Sequence, residues 1–293
     1  MYAPVCLFTY NRLDETRKTL EALSSNYLAS ESELIVFSDG AKSPGEEEKV
    51  QAVRDYLKSL RVFKSIRIIE AEENKGLANS IISGVTEVLD KYGKIIVLED
   101  DLISAPNFLN FMNQALDFYK DNQEIFSISG YTQNLDSLSG YSKDYYLIHR
   151  PSSWGWATWK DRWEKVDWAV EDYSRFKRSL FRQIKFMRGG SDLPLMLWKQ
   201  MNGYLDSWAI RWTYHQFKQD LYCLCTTKNK IINIGGGVDA THTGKIKKRY
   251  KNNLEEVDKR TFTFDKVVET DKRLLKEFRS THSFYNRLLD KFR

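Results

Sequence analysis

Apolar residues along the first half of the chain follow two alternating periods. Short, largely apolar runs recur: Pro4-Val5-Cys6-Leu7-Phe8-Thr9-Tyr10, Glu33 to Gly40 with its closing turn, Ser65-Ile66-Arg67-Ile68-Ile69-Glu70 and Lys94-Ile95-Ile96-Val97-Leu98. Runs of this length, bounded by polar or turn residues, predict strands buried in a sheet. Between them, apolar residues fall at helical spacing. Leu20 and Leu23 do so after Asp14, Val50, Val53, Tyr56, Leu57 and Leu60 within 46–60, and a third set within 77–92. Asp14 or a neighbour is expected to cap the first of these helices. A fourth helix is predicted over 107–119 and a further strand over 125–131. Strands alternating with helices of this size predict an α/β domain with a largely parallel sheet.

The pattern changes in the second half, which is rich in Trp and Tyr and opens on Ser153-Trp154-Gly155-Trp156-Ala157-Thr158-Trp159. No Pro- or Gly-rich linker separates the halves. The expectation is therefore one globule, with 1–130 as its first part, an aromatic-rich subdomain over 131–245 grown onto the sheet, and a helical tail over 246–293. In that tail Leu274, Leu275, Phe278, Phe284, Leu288, Leu289 and Phe292 sit at helical spacing, with a break expected around Thr281-His282-Ser283.

Composition narrows the class. Of 293 residues, 29% are charged and 14% aromatic, which fits a soluble globular protein. No run approaches the roughly 20 apolar residues that span a bilayer, and the start shows no basic leader with an apolar core, so no signal peptide is expected. Cys6, Cys223 and Cys225 form neither a disulfide framework nor a zinc spacing, and a reducing cytoplasm is the expected compartment. The net charge of +5 is uneven: residues 245–293 hold 15 Lys/Arg against 8 Asp/Glu. This basic tail either is a solvated surface that packs back onto the body or meets anionic lipid at the inner membrane face. Nucleic acid is disfavoured, because acids dilute its basic residues.

In parallel α/β sheets, ligands bind at the carboxyl ends of the strands, and here those ends are polar: Thr9 to Arg12, Asp39-Gly40, Glu70 to Gly76, and Glu99-Asp100-Asp101. Three successive carboxylates at the end of a buried strand must be paired, hydrogen-bonded or metal-bound. Mg²⁺ or Mn²⁺ binds through one or two carboxylates together with substrate phosphates, so the run predicts a metal–diphosphate site. The plain alternative is an acidic strand end meeting water. Asn74-Lys75-Gly76 opens a predicted helix, where anionic groups are favoured.

These pieces together resemble a GT-A-type glycosyltransferase, close to the family 2 enzymes of bacterial polysaccharide synthesis. The matching segments are Pro4 to Arg12, Ser38-Asp39-Gly40, Glu73 to Ala78 and Leu98-Glu99-Asp100-Asp101; later come Gly155 to Trp159, Asp206-Ser207-Trp208 and Asp239-Ala240-Thr241-His242-Thr243. The Glu-Asp-Asp form also resembles N-acetylglucosaminyltransferase I.

The resemblance implies a nucleotide-diphosphate sugar donor and a glycan or lipid-linked acceptor. It implies Asp101 as metal ligand, Glu99 and Asp100 orienting the sugar and the water shell of the metal, and His242 as a second ligand to metal or diphosphate. Thr9, Asn11, Arg12 and Asp39 would line the nucleotide, and Asn74, Lys75 and Gly76 the anionic end; the plain alternatives are a surface ion pair for Arg12, an Asp-Gly turn for Asp39 and an ordinary loop and helix start for Asn74 to Gly76. Asp206 is the candidate general base, expected to be desolvated by aromatic neighbours with a raised pKa; its alternative is a helix cap. Trp154 and Trp156 either stack on sugar or pack in the core. Two rival readings are a nucleotidyltransferase making activated sugars, which would carry a Gly-rich basic loop where Thr9-Tyr10-Asn11-Arg12-Leu13 stands, and an inactive sugar-binding scaffold.

Overall fold

In the computed structural model, which describes residues 1–236, 250, 252–256 and 258–287, the predicted alternation forms the sheet half that carries the site. β1 (Val5–Thr9), β2 (Glu33–Ser38), β3 (Ser65–Glu70) and β4 (Lys94–Glu99) run parallel in the order β3-β2-β1-β4. Their partners Thr9↔Ser38, Ser38↔Glu70 and Phe8↔Glu99 bring four polar strand ends to one edge.

The connecting helices are α1 (Leu13–Ser24), α2 (Glu47–Ser59) and α3 (Leu77–Tyr92). Their apolar stripes are covered, with Leu20, Leu23, Val53 and Leu57 packed on one sheet face and Ile81, Val85 and Val88 on the other. Asp14 does not cap α1. It sits in the first turn, where its charge suits the helix dipole, and the cap position is Arg12 without a side-chain bond. Gly93 ends α3 in the left-handed conformation, the usual role of glycine after a helix.

The aromatic-rich half extends the same sheet. β5 (Leu102–Ser104), α4 (Phe108–Phe118), β6 (Ile125–Ser129), β7 (Tyr145–Ile148) and β8 (Trp156–Trp159) follow, then α5 (Lys160–Trp163), α6 (Tyr173–Arg178), α7 (Leu180–Phe186), α8 (Leu193–Met201), α9 (Trp208–Lys218), β9 (Tyr222–Thr226), β10 (Ile231–Asn233) and α10 (Lys272–Thr281). Among the described residues the sheet has eight strands, β3-β2-β1-β4-β8-β6-β9-β7. β8 inserts antiparallel between β4 and β6, β6 and β9 are parallel, and β7 is an antiparallel edge. This is the mostly parallel α/β architecture expected, although the stretch around Trp156 gave no sign of a central strand. β5 and β10 form a separate antiparallel ribbon beside the acidic run.

The tail packs back. Leu274 and Phe278 of α10 are buried against Leu135, Tyr146, Ile148, Cys223 and Cys225. The helix breaks at His282, as the spacing predicted, and His282 is buried with its Nε2 2.7 Å from Gln133. Leu288, Leu289, Phe292 and the basic run 245–249 lie outside the described residues.

Candidate active site

Nearly all the polar strand ends line one cleft of about 370 Å³, together with Trp154, Asp206, Ser207, Trp208, Asn233 and Gly235. Thr9, Asn11, Arg12, Asp39, Asn74, Gly76, Glu99, Asp100 and Asp101 all face it. They meet because three parallel crossovers carry their strand ends to the same edge, as open α/β sheets do.

The acidic run is neutralised from within the chain. Arg12 donates from Nη2 to Asp100 and, at 3.0 Å, to Oδ2 of Asp101. The Thr19 hydroxyl donates to the Asp100 carbonyl at 2.8 Å and accepts from the Leu102 N–H at 3.1 Å, pinning the turn after β4. Asp101 also accepts from Asn233 Nδ2 at 3.2 Å, and its carbonyl accepts from the Ile234 N–H.

Among the described residues one cation, Arg12, faces the three carboxyls, and burial prevails over its attraction. The Glu99 carboxyl is pushed up to about 8 by burial and by repulsion from Asp101 and Asp100. Asp100 is pushed up to about 6, chiefly by burial, with Arg12 opposing. Asp101 is raised for the same reason. An added cation at this position would relieve the strain.

Asp39 lies in the cleft lining and also ties two loops together. Its Oδ1 accepts from the backbone N–H of Lys75 at 2.8 Å and of Gly40 at 3.0 Å, and Oδ2 accepts from Gly76 at 3.0 Å. Asp39 thus anchors the two residues that lead into α3, whose own first turn begins at Leu77. Lys75 contributes its amide there, and its side chain is exposed outside the cleft lining. Asn74 Nδ2 donates to the Gly40 carbonyl at 2.9 Å. A Cβ at Gly40 would stand 2.5 Å from the Glu73 carbonyl carbon, so the two loops touch through backbone. Gly76, at φ +73°, supplies the left-handed turn into α3.

Asp206 lies in the cleft lining but is not desolvated. Its side chain is 68% exposed, and the described charge nearest it is Arg211 at 3.9 Å. Neither is it a cap, because Ser207 caps α9 by accepting from the Ile210 N–H. The flanking aromatics face elsewhere: Tyr204 stacks on Trp198 at the surface, and Trp208 packs on Trp156.

Trp154 is half-buried in the lining, edge-on to Tyr131 at 4.7 Å. Trp156 is corrected to a core residue. It is fully buried among Trp163, Trp208 and Trp212, with centroids 5.7, 5.0 and 4.5 Å away, and cannot meet an acceptor. His242 lies outside the described residues.

Several residues in or behind the lining escaped the sequence reading. Glu46 accepts from Tyr10 at 2.5 Å and from Asn11 at 3.0 Å, fixing the loop after β1. Asn233 and Gly235 arrive on the β5–β10 ribbon, and a Cβ at Gly235 would overlap Oδ2 of Asp101. The glycine run 235–237 was the only available signal, because contacts across some 130 residues leave no periodic trace. The Thr9 hydroxyl is buried in the lining with no partner among the described residues.

Sequence comparison now gives the class. Residues 5–185 match the model of Glycosyl transferase family 2, and the chain belongs to that family. The α/β sheet is its GT-A fold. Among solved structures, the chain is similar to the mannosyltransferase PcManGT from Pyrobaculum calidifontis, solved in complex with GDP-Man and Mn²⁺. That match has 13% identity and a TM-score of 0.40 over 57% of this chain and 48% of that one. It is also similar to S. aureus TarS, with 16% identity and a TM-score of 0.37 over 57% of this chain and 30% of that one. The chain thus spans about half of the first structure and under a third of the second. No curated protein matches it.

Proposed function

We propose that the chain is a metal-dependent inverting glycosyltransferase. It moves a sugar from a nucleotide-diphosphate sugar to a hydroxyl of a glycan or lipid-linked acceptor in bacterial surface polysaccharide synthesis. The observation that carries this reading is the shared cleft, which holds the acidic run at its floor and a solvent-reachable carboxylate, Asp206, in its lining.

The donor set fits a divalent ion delivered with the diphosphate. Among the described residues no three His, Cys, Asp or Glu side chains converge as a preformed metal cage. Asp101 nevertheless presents carboxylate oxygens in the cleft beside an internal cation, and hard ions of this kind use one or two carboxylates plus phosphate oxygens. Asp101 would hold the ion, with His242 a second ligand on the strength of the resemblance. When bound, it would supply positive charge to the leaving diphosphate.

The chain's own residues do the rest. Thr9 and Asn11 bound the nucleoside end, where the unpaired Thr9 hydroxyl can donate. Asp39 keeps the loops after β2 and β3 in register and has acceptor capacity left for the base or ribose. Glu99 and Asp100 orient the sugar, and Trp154 offers a ring to the acceptor. Asp206 takes the acceptor proton as the oxygen attacks the anomeric carbon; its exposure means that the bound acceptor must supply the desolvation.

The test is to incubate the purified protein with a panel of nucleotide sugars, with and without Mn²⁺ or Mg²⁺, and to follow nucleotide release and product anomer by NMR. Metal-stimulated release with an inverted product is expected. A retained anomer, or no turnover and no binding of any nucleotide sugar, would overturn the reading.

A further inference from the structure

We propose that the exposed face of α6 and α7 is a docking surface for an anionic lipid bilayer. Residues 173–190 contain six Lys/Arg and no Asp/Glu. On α7, Leu180, Phe181 and Ile184 are 70%, 66% and 53% exposed, and Ile184 neighbours both of the others, at i+4 from Leu180 and i+3 from Phe181. The helix cannot turn this face inward. Its other side already buries Phe186 against Phe176, Tyr214 and Phe217. Clustered large apolar side chains on a surface mark an interaction site.

The surrounding charge selects the partner. Arg182 and Arg188 have their own carboxylates, Asp172 at 3.0 Å and Asp220 at 2.5 Å. Arg175, Lys177, Arg178 and Lys185 are exposed, and none makes an ion pair with a described residue. The Lys185 ammonium lies 4.5 Å from the Phe181 ring, so cation and apolar group stand side by side. An interfacial helix needs this combination: apolar residues entering the acyl boundary and cations at anionic headgroups. A nucleic acid would use the cations but gain nothing from the aliphatic Leu180 and Ile184, which offer no ring for base stacking.

The patch is firmly mounted. Tyr214, on which Phe186 packs, lies six residues along α9 from Trp208 of the cleft lining, about 9 Å at the helical rise. Vesicle binding does not rest on the proposed function.

The test sediments the full chain with phosphatidylglycerol–phosphatidylcholine vesicles and with phosphatidylcholine alone. Salt-sensitive binding to the anionic vesicles only is expected. Each neutralised cation lowers the partition coefficient about fivefold, so changing Arg175, Lys177, Arg178 and Lys185 together to Gln lowers it by roughly several hundredfold. Phe181→Ser with Ile184→Ser abolishes binding while melting temperature stays near wild type, since both side chains are exposed. Three results would overturn the proposal: no sedimentation with anionic vesicles, binding untouched by either variant set, or binding that survives the Phe181 and Ile184 changes and is competed away by RNA. None of these readouts uses turnover, so they stand whether or not transfer is detected.

Discussion

Arg12 donates a 3.0 Å hydrogen bond to Oδ2 of Asp101 and, through the same nitrogen, bonds Asp100. The acidic floor therefore carries an internal cation before any ligand arrives, and under the proposed function a metal ion would share Asp101 with it. Asp101→Asn should abolish transfer with little change in fold, because the amide keeps the size of the side chain. EDTA should silence the wild type, and added Mn²⁺ or Mg²⁺ should restore it. Full activity in EDTA or in the variant would reject the metal role. Arg12→Gln should cost about 1–3 kcal/mol in the metal-free protein by leaving Asp100 without its charged partner, and Mn²⁺ should recover part of that loss in a thermal melt.

Asp206 and its neighbour separate catalysis from capping. Asp206→Asn should lower turnover roughly 10²-fold or more and shift stability by no more than about 0.5 kcal/mol, as for other exposed sites. Ser207→Ala should do the reverse, costing about 1 kcal/mol through loss of the α9 cap with turnover largely kept. Normal turnover in the Asp206 variant would remove it as the base.

The two tryptophans at the start of the aromatic half should behave as opposites. Trp156→Ala opens a hole in a four-Trp cluster and should cost about 3–5 kcal/mol, seen as a large drop in the denaturation midpoint. Trp154→Ala should lower that midpoint far less than Trp156→Ala, since Trp154 is only half-buried against Tyr131, and should raise the acceptor KM. A stable Trp156→Ala protein with weakened acceptor binding would contradict the packing.

Gly235→Ala tests how tightly the ribbon seats Asp101, the proposed metal ligand. The new Cβ would overlap Oδ2 of Asp101, so the carboxylate must rotate away from Arg12 or from Asn233. Stability should fall by about 1–3 kcal/mol, and the Mn²⁺ concentration needed for half-maximal activity should rise. An unchanged metal dependence would show that Asp101 is free to move.

His215 supplies a pH test away from the cleft. It is buried against Phe126, and burial, aided by the Lys218 charge, brings its imidazole down to about 4. Between pH 6.5 and 4 the unfolded chain binds this proton and the folded one resists it. The stabilisation is therefore complete above the unfolded value and is lost as pH falls, by up to about 1.4 kcal/mol per pH unit. Wild type should lose stability more steeply than His215→Gln across that window. Parallel stability curves for the two proteins would refute the assignment.

Much of this molecule was legible without coordinates. The parallel strands β1 to β4 and helix α3 follow the apolar periods closely, because local periodicity directly reports which faces meet the core. The polar strand ends were recognisable as a site for the same reason: polar groups cannot close a buried strand without a purpose. Only tertiary packing decided what each of those groups does. Trp154 and Trp156 sit two apart, and one lines the cleft while the other fills the core, since side-chain direction depends on β8 inserting between β4 and β6. Asp39 holds its own loops because Lys75 and Gly76 fold back onto it. Asp206 is exposed because its aromatic neighbours find partners elsewhere. Arg12 meets Asp100 across 88 residues. Such pairings depend on distances between elements that are remote in the chain, and no pattern of neighbouring residues encodes them.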